Sequence, residues 1–155
     1  MVNILAIFFA KYVYLVVIAI AVIYGLFQPR PVQKKMLILG VICLPLIFIV
    51  AKIASHFFYD PRPFVVHHIK SLIPHAPDNG FPSDHTLISA AFASVLFVFN
   101  KKWGVIAGVL AILVGISRIY AQIHSPIDIL GSVIISIVVV WIVVICLKRF
   151  TRLLI

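Results

Sequence analysis

Three short polar clusters interrupt an otherwise apolar chain, and their residue types suit the binding and cleavage of a phosphate. The clusters are Lys52 with Arg62-Pro63, then Pro82-Ser83-Asp84-His85, then Ser117-Arg118 with His124 and Asp128. Lysine and arginine bind phosphate oxygens, histidine attacks phosphorus or transfers a proton, and aspartate orients histidine. Ionisable residues in or beside membrane-spanning segments are rare and usually functional, so together the clusters predict a site for phosphate chemistry.

The third cluster is the most specific. Pro126 suits the first position of a helix, which puts Ser125 at the N-cap and Asp128 at the third helical position. His124 then stands just before the helix, where Asp128 could orient its ring and leave one ring nitrogen free to attack. The sequence alone does not separate this role of Asp128 from helix capping. Taken alone, His124 would be an interfacial histidine; Arg118, which could fork onto phosphate oxygens, favours a functional set.

The other two clusters would complete such a site. Ser83 is a natural N-cap, and the backbone N–H groups after it, including that of Asp84, could bind an anion. His85, in the first helical turn, could protonate a leaving oxygen. Lys52 and Arg62 would add two cations. Each cluster by itself is also compatible with an ordinary helix cap or with side chains that reach the membrane interface.

Composition indicates an integral membrane protein. Of the 155 residues, 64% are hydrophobic and 11% are charged, and the mean hydropathy is +1.22, whereas soluble domains are roughly half apolar and a quarter charged. No linker divides the chain, which predicts one membrane domain over residues 1–155. The net charge of +9 comes largely from basic residues in short loops, a pattern that favours anionic lipid headgroups over nucleic acid as partners. Cys43 and Cys146 lie in apolar segments and are predicted to be buried free thiols.

Five apolar segments predict membrane-spanning helices, each of which needs about 20 residues. They cover roughly residues 4–27, 36–54, 83–99, 103–121 and 126–147. We therefore predict an all-α fold, a polytopic bundle of about five transmembrane helices. The first segment is interpreted as a retained anchor, because its first basic residue, Lys11, comes too late for a signal peptide.

The basic residues predict the orientation of this bundle. They cluster in the loop Gln28–Lys35, at Lys101-Lys102, and in the tail at Lys148, Arg149 and Arg152. Alternating spans put these three positions on one side, which is predicted to be cytoplasmic. The three polar clusters then all lie at the extracytoplasmic end, although they are far apart in the sequence.

These residues resemble the motifs of the type 2 phosphatidic acid phosphatase (PAP2) superfamily of membrane phosphatases, whose site is shared by vanadium haloperoxidases. The family pattern is a Lys before Arg-Pro, then Pro-Ser-x-His, then Ser-Arg-x5-His-x3-Asp. This chain carries all three motifs in that order, over roughly residues 52–128, and the third is complete in spacing. Two features depart from the pattern: nine residues separate Lys52 from Arg62 instead of six, with Ser55 at the shorter spacing, and Asp84 replaces the usual glycine.

The resemblance implies a mechanism without metal or cofactor. In it His124 is the nucleophile, Asp128 orients His124, and His85 is the general acid and then the base. The residues implied in phosphate binding are Lys52, Arg62, Ser83, Asp84 through its N–H, and Arg118. Because Pro-Ser-Asp-His-Thr follows an upstream Asp-Pro-Arg-Pro-Phe, the chain resembles the bacterial undecaprenyl-pyrophosphate phosphatase branch, the bacitracin-resistance type. The implied substrate is a lipid phosphate or polyprenyl diphosphate at the outer face of the bacterial cytoplasmic membrane.

Two alternatives remain open. A phosphatidylglycerophosphate or phosphatidate phosphatase would carry the same motifs, because these residues bind phosphate and not the lipid tail. A non-catalytic membrane transporter or accessory protein would be indicated by disruption of the nucleophile set, but His85, His124 and Asp128 are all present. The sequence indicates no particular oligomeric state.

The remaining polar residues are assigned no function from the sequence. His56, His67, His68 and His75 lack the spacing of a zinc site and are interpreted as loop residues. Asp78-Asn79-Gly80 is typical of a turn.

Overall fold

The computed structural model describes residues 2–151, and most of them are helical. The helices are α1 (Val2–Leu26), α2 (Arg30–Phe57), α3 (Pro63–Val66), α4 (Asp84–Phe99), α5 (Lys101–Tyr120) and α6 (Pro126–Thr151). Within the described range the only β-type pairing is an isolated bridge between Pro61 and Asn79. The predicted all-α fold is confirmed. Both cysteines are free, as predicted, but Cys146 is exposed and only Cys43 is buried.

The five predicted spans correspond to the five long helices, and the largest difference is at the start of α2. This helix begins at Arg30, so most of the predicted loop Gln28–Lys35 is helical. Pro31 lies in the first turn, where a proline costs no intrahelical hydrogen bond. The Gln33 side chain donates to the carbonyls of Leu26 at 3.0 Å and Gln28 at 2.8 Å. These contacts satisfy open carbonyl groups at the end of α1 and replace the loop with a tight turn.

Helix α4 is the inner helix of the bundle. Helices α1, α2, α5 and α6 are long and apolar enough to cross a membrane, whereas the 16 residues of α4 span about 24 Å against a hydrocarbon thickness of roughly 30 Å. Helix α4 packs against all four of the others. Leu87 joins a core with α2 and α6, and Leu96 joins a second core with α1 and α5. Small buried residues such as Ala90 and Ala91 let the neighbouring helices approach closely.

The segment between α2 and α4 folds back over one end of the bundle. Its short helix α3, which the sequence did not predict, is fixed to the α5–α6 turn where the N–H of Phe64 donates to the Gln122 carbonyl at 3.0 Å. Further along, the N–H of Leu72 donates to the Ala121 carbonyl at 3.2 Å. Buried contacts of Ile73 and Ala121 with Ala10 of α1 seal this end. Arg62 of the first cluster meets the second and third clusters beneath this covering segment.

Candidate active site

The turn between α5 and α6 holds His124 against Asp128. The Nδ1 atom of His124 lies 3.0 Å from Asp128 Oδ2, and both side chains are buried. The same carboxylate oxygen accepts the backbone N–H of Ser125 at 2.9 Å. Asp128 therefore both caps α6 and orients the ring of His124, the two roles that the sequence could not separate. The Ser125 hydroxyl completes no reciprocal capping box, because it donates to Asp60 Oδ2.

The other ring nitrogen of His124 faces two guanidinium groups. Its Nε2 atom lies 3.4 Å from Arg62 Nη1 and 3.3 Å from Arg118 Nη2. Because a guanidinium only donates hydrogen bonds, Nε2 is the acceptor and the ring proton is on Nδ1, facing Asp128. Burial, followed by the charges of Arg118 and Arg62, lowers the pKa of His124 from its ordinary value of 6.5. The ring is therefore neutral at neutral pH and presents a free lone pair between two cations.

Arg62 is held in place by contacts from three directions. Its Nε donates to Asp78 Oδ1 at 2.7 Å, its Nη1 to the Ile123 carbonyl at 2.8 Å, and its Nη2 to the Asn79 carbonyl at 3.3 Å. The residue is only 5% exposed. It directly precedes α3, so the Arg62-Pro63 pair both starts that helix and delivers the guanidinium to His124. A buried guanidinium fixed in this way is preorganised for an anion.

Arg118 reaches the site from the last turn of α5. Its Nη1 donates to the Ala10 carbonyl of α1 at 3.1 Å, and the residue is 4% exposed. Its buried Nε atom has no hydrogen-bond partner among residues 2–151. The Nε–H group of Arg118 could therefore donate a hydrogen bond to a phosphate oxygen, in addition to the Nη2 group that faces His124.

The start of α4 brings the second cluster to the same place. Ser83 occupies the N-cap position, but its hydroxyl accepts from Thr86 at 3.2 Å rather than capping the helix. The Ser83 N–H faces the Asp128 carbonyl at 3.4 Å, and its own carbonyl accepts from Ser132 at 3.0 Å, so α4 and α6 start together. The half-buried His85 ring packs edge-on against Tyr14 of α1, with ring centroids 4.5 Å apart.

Asp84 and His85 lie within electrostatic range of the arginine and histidine that form the centre of the site. His85 interacts electrostatically with Arg118 and His124, and the exposed Asp84 interacts with Arg118. The carboxylate of Asp84 therefore has a cation to face. This electrostatic attraction reduces the conflict between a carboxylate at this position and an incoming phosphate.

A comparison with protein families decides the classification. The model that describes the PAP2 superfamily matches residues 34–152. The chain belongs to the PAP2 superfamily. The match includes all three polar clusters, so the buried His124, Arg62 and Arg118 constellation lies inside the family's own domain.

Three similar proteins extend this assignment. Undecaprenyl-diphosphatase BcrC of Bacillus subtilis is 42% identical over 82 residues, which are 53% of this chain and 42% of that protein. Bacitracin transport permease protein BcrC of Bacillus licheniformis is 33% identical over 138 residues, 88% of this chain and 68% of that protein. The crystal structure of Aquifex aeolicus LpxE superposes with a TM-score of 0.69 at 28% identity, covering 91% of this chain and 86% of that one.

These alignments leave part of the curated relatives unmatched. The chain spans less than half of the length of the Bacillus subtilis protein and about two thirds of the Bacillus licheniformis protein. Together with the four helices long enough to cross a bilayer, the relatives identify a multi-pass membrane protein.

Lys52, the first residue of the PAP2 pattern in this chain, lies five residues before the end of α2. Its side chain is exposed on α2, and across residues 2–151 no hydrogen bond or ion pair joins it to the other candidates. One turn later, Ser55 accepts two hydrogen bonds from Asn79 Nδ2, at 3.0 Å through its carbonyl and 3.1 Å through its hydroxyl. The helix position at the family's usual lysine spacing therefore fixes the covering segment. Phosphate binding by Lys52 stays a prediction.

The covering segment contributes contacts that sequence reasoning missed. The supposed turn at Asp78-Asn79-Gly80 lies against the site: Asp78 pairs with Arg62, and a Cβ at Gly80 would stand 2.7 Å from Asp128 Oδ2. The Arg62 hydrogen bond lowers the pKa of Asp78. Asn79 Oδ1 accepts the backbone N–H groups of Asp60 and Phe81, each at 3.0 Å. The unusual density of polar residues in this loop was the available signal.

His75 also lies at the site rather than in a free loop. Its ring centroid is 6.2 Å from that of His124, and its Nδ1 is 4.0 Å from Asp78 Oδ1. Burial, then the charges of Arg62 and Arg118, lowers the pKa of His75. Despite this second imidazole, the described part of the chain contains no group of three or more His, Cys, Asp or Glu side chains placed to hold a metal ion.

Proposed function

We propose that the chain hydrolyses a membrane lipid diphosphate, undecaprenyl diphosphate, to the monophosphate through a phosphohistidine intermediate. One observation carries the proposal: the free Nε2 of His124 lies between Arg62 and Arg118 while Nδ1 is held by Asp128. An oriented neutral imidazole beside two fixed cations matches the needs of a nucleophile that attacks an anionic phosphorus.

In the first step, His124 Nε2 attacks the terminal phosphorus of the substrate. A P–N bond forms, and the bond from that phosphorus to the bridging oxygen breaks. The bridging oxygen leaves with the lipid monophosphate and takes a proton from protonated His85. Arg62 and Arg118 stabilise the equatorial oxygens as charge redistributes in the transition state, and the imidazolium that forms is stabilised by Asp128.

In the second step, the phosphohistidine is hydrolysed. Neutral His85 removes a proton from a water molecule, whose oxygen attacks phosphorus as the P–N bond breaks. Inorganic phosphate leaves, His124 regains its free Nε2 lone pair, and His85 is again protonated. The same imidazole thus serves as the acid of the first step and the base of the second.

The location proposed for this chemistry is the outer face of a bacterial cytoplasmic membrane. The basic pairs Arg30 with Lys34 and Lys101 with Lys102 lie at the opposite end of the bundle from His124, and the positive-inside rule makes that end cytoplasmic. A polyprenyl tail can stay in the bilayer while its diphosphate reaches a site near the helix ends. One relative is named undecaprenyl-diphosphatase, which favours this substrate.

A phosphatidylglycerophosphate or phosphatidate phosphatase is the second candidate. It uses the same phosphate contacts, so only the lipid tail and the leaving group separate the two functions. A transporter, the function in the name of the Bacillus licheniformis relative, requires neither an oriented nucleophile nor a second histidine beside it. The buried His124–Asp128 pair therefore favours hydrolysis over transport.

Substrate preference tests the proposal. Phosphate release would be measured in detergent with EDTA, comparing undecaprenyl diphosphate with phosphatidylglycerophosphate, and His124→Ala would serve as the inactive control. We expect a higher kcat/KM for the diphosphate, lost in the variant. Preference for phosphatidylglycerophosphate would support the proposed site but change the substrate. Equal activity in His124→Ala would show that His124 is not the nucleophile.

The absence of a metal requirement is a second expected result. Arg62 and Arg118 place two positive charges beside the phosphate position, so we expect EDTA to leave activity within about twofold and vanadate, a mimic of pentacoordinate phosphorus, to inhibit it. Loss of activity in EDTA with recovery on adding Mg²⁺ would contradict the mechanism.

Arg62 permits a prediction about geometry at constant charge. Arg62→Lys keeps the cation but removes the fork that bonds Asp78, Ile123 and His124, and we expect kcat/KM to fall by about 10²-fold. Asp78→Asn is the matched comparison: Arg62 keeps its backbone contacts, so the loss should stay below about tenfold. Equal losses of kcat/KM in both variants would mean that the Asp78–Arg62 contact, and not the guanidinium fork as a whole, is what catalysis requires of Arg62.

A further inference from the structure

A groove opens between α1, α2 and α4 at the end of the bundle opposite to His124. Its volume is about 960 Å³. The walls are apolar over most of their length and include Val22, Leu26, Leu37, Val41, Leu44 and Phe92. The groove runs along α2 from Arg30 to Pro45, a distance of about 22 Å at 1.5 Å per residue. That length exceeds the roughly 15 Å of hydrocarbon in one leaflet, so acyl chains from the leaflet on this side can lie in it.

Two cations stand at the membrane-surface end of the groove. Arg30 is the first residue of α2 and Lys34 follows one turn later, and both side chains are exposed. The acidic residues are four aspartates, and all of them lie after α2 or at the starts of α4 and α6, at the other end of the bundle. No acidic side chain is therefore placed to neutralise this pair. The positive end of the α2 dipole points to the same position.

The frame of the groove is fixed by the turn between α1 and α2. Gln33, which also lines the groove, donates to both Leu26 and Gln28 and holds the two helix ends together. Gly25 on α1 lies against Met36 on α2. Further along, a Cβ added to Gly40 would meet no atom within 4 Å. Helices α1 and α2 are thus joined at the membrane surface and separated below it. The separation leaves an opening for acyl chains beneath Arg30 and Lys34.

We propose that this groove is a binding site for an anionic diacyl phospholipid, with the lipid phosphate between Arg30 and Lys34 and an acyl chain beside Gly40. The ligand belongs to the leaflet opposite to the one that the proposed reaction uses. The site does not depend on the proposed reaction, because it shares none of the residues around His124.

Lipid binding by the full-length chain tests the charged entrance. Native mass spectrometry in detergent would titrate dioleoyl phosphatidylglycerol against dioleoyl phosphatidylcholine. We expect the first bound phosphatidylglycerol to bind on the order of tenfold more weakly in Arg30→Ala/Lys34→Ala. Lys101→Ala/Lys102→Ala is the matched control, because it removes an equal charge from the start of another helix on the same side. That control should change the affinity by less than about twofold.

The part of the groove that would hold the acyl chain is tested in variants that keep Arg30 and Lys34. A Cβ at Gly40 meets no protein atom, so Gly40→Leu would project into the opening. Gly108→Leu makes the same change in a largely apolar groove between α4, α5 and α6, where a Cβ also has free space. We expect Gly40→Leu to weaken phosphatidylglycerol binding and Gly108→Leu to leave it unchanged, with both variants retaining wild-type circular dichroism.

Three outcomes would overturn the site. Equal binding of phosphatidylcholine would indicate ordinary surrounding lipid, and equal weakening by the Lys101/Lys102 variant would indicate unspecific surface charge. Unchanged affinity in Gly40→Leu would place the lipid outside the groove. None of these results depends on phosphate release, so failure here leaves the proposed function standing.

Discussion

His124→Ala is expected to lower kcat/KM by about 10⁴-fold or more, for a lipid diphosphate and for an aryl phosphate alike. The reason is that Nε2 of His124 is the atom placed between Arg62 and Arg118, within hydrogen-bond distance of both guanidinium groups. Initial rates of phosphate release over a substrate series would measure the loss. His67→Ala, at an exposed histidine of the covering segment, is the control and should retain activity.

The same variant should also lose a covalent intermediate. If the wild-type chain is mixed with substrate labelled in the terminal phosphate and denatured within one turnover, we expect label on the protein that is stable to alkali and released by acid. That behaviour is characteristic of a phosphorylated imidazole. His124→Ala should carry no label, whereas label retained in the variant would assign the nucleophile to another residue, with His75 the nearest imidazole.

The part of the site that the sequence predicts well is local. Arg118, His124 and Asp128 lie on a helix end, a short turn and a helix start. Pro126 and the capping carboxylate define this geometry within a few residues, so spacing alone indicates which atoms can meet. Arg62 is predicted as part of the Arg-Pro motif, whereas the short helix α3 that follows it is not.

The covering segment could not be predicted in the same way. Asp78 and Asn79 act through contacts to residues 16 to 24 positions away, across irregular backbone that has no periodicity to interpret. Asp-Asn-Gly is a good turn sequence, and the polar residues around it are the only local signal that this turn lies against Asp128. Only the fold reveals that Gly80 is required for space.

The helix boundaries show where hydropathy alone is insufficient. Basic residues at Arg30 and Lys34 indicate a loop when only polarity is considered, but arginine and lysine are good helix formers and a proline suits the first turn. Lys52 shows another limit: its identity suits phosphate, but residue type alone does not predict which way helix α2 directs its side chain. A position on a helix determines the direction of a side chain as well as its depth in the membrane, and residue type alone predicts neither.

His85→Ala is expected to affect substrates according to their leaving groups. A lipid monophosphate leaves poorly as an anion and needs a proton, whereas 4-nitrophenolate departs without one. We therefore expect kcat/KM to fall by about 10²- to 10⁴-fold for the lipid diphosphate and much less for 4-nitrophenyl phosphate. The ratio of the two losses is the measurement, because it cancels any general effect of removing the His85–Tyr14 contact.

The choice of kcat/KM decides whether this test is valid. Hydrolysis of the phosphohistidine is common to both substrates and also uses His85, so kcat would fall for both once that step limits turnover. The parameter kcat/KM reports only steps up to departure of the leaving group, where the acid acts. In His85→Ala the aryl substrate should then phosphorylate His124 faster than water removes the phosphate, and labelled protein should accumulate above the wild-type level. Equal losses in kcat/KM without accumulation would remove His85 from both proton transfers and leave it as a packing residue of α4 against α1.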